Sequence, residues 1–159
     1  MTDLGTLGKS FSAGLGINAS GQVTGYSSTH VSEHAFLYSS GSMSDLGTLG
    51  GTFSTGLGIN DSGQVTGYSL TAGDTAYHAF LYSGGNMTDL GTLGGNSSYA
   101  YAINASGQVA GYSLTAGDTA SHAFLYSGGR MTGFGHAGRK QQLRLRHQRQ
   151  RASHRVLLS

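Results

Sequence analysis

Asp89-Leu90-Gly91-Thr92-Leu93-Gly94-Gly95 is the third copy of one phrase. Asp3-Leu4-Gly5-Thr6-Leu7-Gly8-Lys9 and Asp45-Leu46-Gly47-Thr48-Leu49-Gly50-Gly51 are the earlier copies, and the steps between copies are 42 and 44 residues. The rest of each unit follows in the same order: Ile17-Asn18, Ile59-Asn60 and Ile103-Asn104, then Gly21-Gln22-Val23, Gly63-Gln64-Val65 and Gly107-Gln108-Val109. His34-Ala35-Phe36-Leu37-Tyr38 returns at His78 and at His122. Self-similarity at such a period marks a repeat architecture. Three units are expected, residues 2–43, 44–87 and 88–131, followed by a different segment, 132–159.

The strand pattern comes from within one unit. Ser98-Tyr99-Ala100-Tyr101-Ala102-Ile103 alternates large and small side chains, the period of a strand. The first unit sets Ala13, Leu15 and Ile17 against Gly14 and Gly16; the second sets Thr55, Leu57 and Ile59 against Gly56 and Gly58. One face is therefore expected to be bare, as happens where another backbone comes close. Asn104-Ala105-Ser106-Gly107 has hairpin-turn chemistry, with Asn bonding the local backbone and Gly supplying positive φ. Gln108 to Ser113 reads as a second strand, Leu114 to Ser121 as a polar loop, His122 to Tyr126 as a third strand, and the next Asp-Leu-Gly as a fourth.

Four short antiparallel strands in about 44 residues match a β-propeller blade, whose period is about 40–45 residues. The expected class is thus all-β, a β-propeller-like array of three four-stranded blades, forming an open arc or partial ring. A β-solenoid is the runner-up; the turn signals favour hairpins, whereas solenoid coils run parallel. Three units fall short of the roughly 4–8 blades of closed propellers, so an open arc, a ring completed by self-association through open blade edges, or a fragment of a longer array are the alternatives.

Composition agrees. The 159 residues include 28 glycines and no proline, cysteine or tryptophan, and 10% are charged. Regular aromatic and aliphatic positions exclude a disordered linker. No disulfide framework is possible. No apolar run is long enough to span a bilayer, and no basic-then-apolar leader is read at Met1, so no membrane role and no export signal are expected.

The net charge of +2 averages two unlike segments. Residues 1–131 hold two basic residues against seven acidic ones, and residues 132–159 hold seven basic residues and no acid. Such a segment has the charge of a nucleic-acid arm. Back-translation from Gly133 accounts for it differently. With suitable wobble bases, dropping one base turns residues 133–159 into DLGTLGGSNSYAYGINASGQVTGYSY, which matches the unit starting at Asp89 at 21 of 26 positions. The middle base of each shifted codon is a wobble choice, but the flanking bases are set almost entirely by the protein, so a match of this extent is not expected by chance. The segment reads as a frameshifted fourth repeat, disordered or loosely helical, with adventitious, salt-sensitive polyanion binding as its expected property.

The three recurring blocks, Asp-Leu-Gly-Thr-Leu-Gly-Gly, Ile-Asn-x-x-Gly-Gln-Val and His-Ala-Phe, resemble the family of extracellular repeats of HAF type. The resemblance covers residues 2–131. It implies exported bacterial proteins with many such units, at the cell surface or outside it, and no reaction.

Candidate sites follow from the repeated polar and aromatic residues. His34, His78 and His122 would ring an axis as metal ligands, or bond a neighbouring blade's backbone; one histidine per repeat lacks the local spacing of known metal sites and favours the second. Asp74 and Asp118, each in Thr-Ala-Gly-Asp-Thr-Ala, are calcium candidates, although the spacing fits turns capping backbone amides better. Asn18, Asn60, Asn86, Asn96 and Asn104 lie in glycosylation-type sequons and read as turn residues. Tyr26, Tyr68 and Tyr112 are candidates for stacking on sugars, as are Tyr38, Tyr82 and Tyr126; filling half-buried strands is the alternative. No nucleophile, base and orienting group come together, and no cofactor motif is read, so the chain is not expected to be an enzyme. The sequence points to a non-enzymatic scaffold or interaction module with a protein or polysaccharide partner. Glycan binding through tyrosines and nucleic-acid binding through the tail are the alternatives.

Overall fold

The computed structural model describes residues 1–134. What was expected of the basic tail beyond Phe134 lies outside these residues. They form three four-stranded antiparallel sheets, each a meander in chain order. The first holds β1 (Ser12–Ile17), β2 (Val23–Ser28), β3 (Glu33–Ser39) and β4 (Ser42–Asp45). The second holds β5 (Gly50–Ile59), β6 (Val65–Thr71), β7 (Tyr77–Ser83) and β8 (Asn86–Asp89). The third holds β9 (Gly94–Ile103), β10 (Val109–Thr115), β11 (Ser121–Ser127) and β12 (Arg130–Phe134). Among the described residues no helix is long and apolar enough to cross a membrane.

The hairpins arise where the turn chemistry places them. In the β9–β10 turn Asn104 N–H bonds Gln108 O, Gly107 N–H bonds Asn104 O, and Asn104 Oδ1 accepts from Ser106 N and Gln108 N. The Asp-Leu-Gly phrase differs from the expectation of a fourth strand running through it. Only its Asp belongs to that strand; the next four residues carry the chain across, with the first Leu dropping between the two sheets, and the closing glycines open the next sheet's first strand. Leu46 and Leu90 are accordingly buried in the two cores.

Each core is a seam between sheets, because a single sheet has two faces and too few residues to cover either. Ala35 and Leu46 of the first sheet meet Val65 and Phe80 of the second, and Ala79 and Leu90 of the second meet Val109 and Phe124 of the third. Every sheet thus has a leading face of Val and Phe; the trailing face is Thr and Ala in the first two sheets and two alanines, Ala110 and Ala123, in the third. β5 packs against β1, β2 and β3 of the first sheet, and β9 against β5, β6 and β7 of the second, so the first strand of each sheet lies across the preceding one.

The bare face expected on these strands is not one face. A bulge between Gly14 and Gly16, repeated between Gly56 and Gly58, shifts the alternation. A Cβ on Gly56 would strike Thr24 of the first sheet, while one on Gly58 would meet Tyr101 O of the third at 3.1 Å. The two glycines therefore relieve opposite faces of one strand, each toward a different neighbour. The bulge also explains Gly67 across the ladder, since a Cβ there would overlap Thr55 O.

Polar side chains join the sheets as well. Ser54 Oγ accepts Ala35 N–H (2.8 Å) and donates to Gly47 O; Ser98 Oγ repeats this with Ala79 N (2.9 Å) and Gly91 O (2.6 Å). Asn18 Nδ2 donates to Asn60 O (2.9 Å), and Asn60 Nδ2 to Asn104 O (3.0 Å).

Candidate functional site

The repeated polar residues are largely occupied in holding the fold. His34 Nδ1 bonds the Asp45 carboxylate at 2.9 Å, and His78 Nδ1 bonds Asp89 at 2.8 Å. Each partner is a carboxylate on the neighbouring strand of the same sheet rather than another sheet's backbone. The reason is register: Phe36 pairs with Asp45 and Phe80 with Asp89, which brings the histidine two residues earlier within reach. Phe124 pairs instead with Gly133, so His122 has no carboxylate at that place. The three histidines stay on separate sheets, and among the described residues no group of three His, Cys, Asp or Glu gathers.

Asp74 and Asp118 end short 3-10 turns, Ala72–Asp74 and Ala116–Asp118. The Asp74 carboxylate accepts Thr52 N (2.7 Å) and Thr52 Oγ1 (3.0 Å); Asp118 accepts Asn96 N and Asn96 Nδ2, both at 2.7 Å. These aspartates cap backbone amides, though on a strand 22 residues upstream rather than in their own loop. Asn96 is thus a loop-anchoring residue, and Asn18, Asn60 and Asn104 are turn residues. Asn86 is exposed and bonds Gly84 O.

The aromatic residues behave differently. Tyr82 and Tyr126 pack into the seams. Tyr26 meets Phe11, with ring centroids 5.7 Å apart. At the junction of the second and third sheets the aromatic residues gather. Tyr68 lies 5.0 Å from Tyr99 and 5.6 Å from Tyr77, both edge-on; Tyr99 stacks on Tyr112 at 5.0 Å, and Tyr112 stacks on Tyr101 at 5.9 Å. Tyr101 is 51% exposed and the other four are half-buried. Burial, reinforced by neighbouring phenols, holds the Tyr68, Tyr99 and Tyr101 hydroxyls above the ordinary tyrosine value. The cluster is a neutral aromatic surface with hydroxyl tips.

Of the five, sequence reading singled out Tyr68 and Tyr112 for this role and missed Tyr77, Tyr99 and Tyr101. The signal was departure from the repeat: Tyr77 stands where the other units have Glu33 and Ser121, Tyr99 where they have Ala13 and Thr55, and Tyr101 where they have Leu15 and Leu57.

No protein-family model matches the sequence, and no curated protein matches it. Among solved structures the chain is similar to a fucose lectin from Kordia zhangzhouensis in complex with methyl-fucoside, with a TM-score of 0.44 and 15% identity, covering 76% of this chain and 95% of that one.

Proposed function

We propose that residues 1–134 are part of a propeller-like arc of HAF-type extracellular repeats and serve as a non-enzymatic binding module, with carbohydrate as the ligand class. The observation that carries this reading is the Tyr68, Tyr77, Tyr99, Tyr101 and Tyr112 cluster. Most copied residues of each unit are engaged in turns, caps and seams; this cluster joins two copied tyrosines, Tyr68 and Tyr112, to three at positions where the copies diverge, Tyr77, Tyr99 and Tyr101. A sugar ring offers C–H faces that stack on aromatic rings and hydroxyls that bond phenol tips, and tyrosine supplies both at small conformational cost. The second reading, a rigid scaffold without a ligand, draws on the seams alone.

Affinity electrophoresis through gels containing neutral polysaccharides tests the choice. Wild type is expected to be retarded on at least one gel, and a Tyr101→Ala, Tyr112→Ala double variant to run freely while unfolding at a similar temperature. Equal retardation of wild type and variant refutes the tyrosine site. Absence of retardation on every gel leaves the scaffold reading in place.

A further inference from the structure

The two outermost faces of the sheet stack are the two halves of one seam. On the trailing side, Thr24 and Ala35 are 0% exposed beneath the second sheet, and Thr66 and Ala79 are 0% exposed beneath the third. Their counterparts on the third sheet, Ala110 and Ala123, are exposed, and Phe134, at the position of Leu46 and Leu90, is 63% exposed.

On the leading side, the first sheet already carries the connector that an incoming sheet normally brings. Leu7 N–H bonds Ser27 Oγ as Leu49 bonds Ser69 and Leu93 bonds Ser113. Ser12 Oγ donates to Gly5 O (2.8 Å), as Ser98 does to Gly91 O. Residues 1–4 line an open hollow together with Phe36, and Leu4 holds the repeat position at which Leu46 and Leu90 enter the internal seams. What this face lacks is a preceding sheet's Thr and Ala positions, and Ile17 is left 71% exposed where Ile59 and Ile103 pack.

One set of hydrogen bonds is complementary too. Ser12 Oγ stands where Ser54 and Ser98 accept an Ala N–H from the preceding sheet, but Ala123, the equivalent alanine at the other end, pairs with Phe134 within its own sheet, so the match rests on the asparagines. Asn104 Nδ2 stands where Asn18 and Asn60 donate to the next sheet's Asn carbonyl, and Asn18 O is that carbonyl in the first sheet.

We propose that the trailing face of the third sheet docks on the leading face of the first sheet of a second copy of this chain, reproducing the seam that joins the sheets within one chain. Continuity with the two internal seams selects this occupant. The contact is heterologous, so it grows head to tail until the rotation closes. Two copies supply six sheets, inside the roughly 4–8 of closed propellers. Leu4 of the incoming copy and Phe134 of the receiving copy claim one place; Leu4 is seated and Phe134 stays at the rim.

Sedimentation velocity of the full chain, from low micromolar to near-millimolar concentration, tests this with two variants on exposed positions, Ala123→Glu and Ile17→Glu. Wild type is expected to shift toward dimer or larger species, and each variant to remain a monomer with unchanged circular dichroism. Mixing the two variants pairs one intact trailing face with one intact leading face and restores a heterodimer. A monomeric wild type across the range overturns the proposal, including the case in which the chain's own tail covers the third sheet. An Ile17→Glu variant that still self-associates overturns the head-to-tail arrangement in favour of trailing faces meeting each other.

Discussion

Replacing Ser98 by Ala isolates one seam contact. Ser98 is fully buried between the second and third sheets, and its hydroxyl serves two backbone groups, the Ala79 N–H at 2.9 Å and the Gly91 carbonyl at 2.6 Å. Alanine keeps the Cβ and leaves both groups without that partner. A buried donor or acceptor stripped of its bond costs about 1–3 kcal/mol, and partial relaxation of the pair puts the expected loss at about 2–4 kcal/mol. For a domain of this size roughly 4 °C of Tm follows each kcal/mol, so a fall of about 8–16 °C is expected. The chain contains its own control. Ser12 occupies the same repeat position and donates to Gly5 O, but in an exposed bond with no sheet in front of it. Ser12→Ala should cost no more than about 0.5–1 kcal/mol. Thermal and urea unfolding followed by circular dichroism measures both. Equal, small shifts for the two variants would refute the claim that the sheets are held through these serines.

Three further outcomes follow. In an alkaline titration followed by phenolate absorbance, Tyr68, Tyr99 and Tyr101 should ionise last, because burial raises each of them. Since the unfolded chain then loses those protons first, their contribution to stability is intact below pH about 10 and declines as pH rises through the folded-state values; stability that is flat or rising there contradicts the buried cluster. Gly58→Val should unfold the chain at a markedly lower temperature, because a side chain at Gly58 meets Tyr101 O and the Ala102 Cα of the neighbouring strand; the equivalent Ala102→Val has no further sheet of the same chain in front of it and should be nearly silent in dilute, monomeric protein. Gly133→Asp should give His122 the carboxylate that His34 and His78 have, once the Leu93 side chain, 2.5 Å from where a Cβ would lie, gives way, and a His122 imidazole NMR signal that does not move on this substitution would refute the register argument.

The repeat, the four strands of each unit and the Asn-x-x-Gly hairpins were legible because they depend on local chemistry, a period of two and turn residues at fixed offsets. The bulge was not, since Gly14 and Gly16 read as one bare face until an extra residue in the ladder turns them to opposite sides. Asp74 capping Thr52 was invisible for a different reason: the bond closes a long loop, and only the packed sheet brings its ends together. The histidine partners lay within reach of sequence reading. His34 to Asp45 and His78 to Asp89 share a separation of 11 residues, which a search for constant spacing would have caught. The aromatic cluster was half legible, as its repeated members Tyr68 and Tyr112 stand out by recurrence while Tyr77, Tyr99 and Tyr101 stand out only by breaking it.

The third sheet connects the fold to the reading frame of its own sequence. At the end of β12, Gly133 and Phe134 stand where the first two sheets carry Asp and Leu, the Asp tying down a histidine and the Leu entering the next seam. Both roles fail in the same place: His122 faces glycine, and Phe134 is exposed. The base-shifted reading of residues 133–159 begins with Asp-Leu, the two residues those roles require. Backbone pairing survives into Phe134 because a strand's ladder depends on main-chain groups and tolerates most side chains. The seam is less tolerant, since it needs particular side chains at particular places. Among the described residues the stack of sheets therefore ends on a face, with Ala110 and Ala123 exposed, rather than on an unpaired strand.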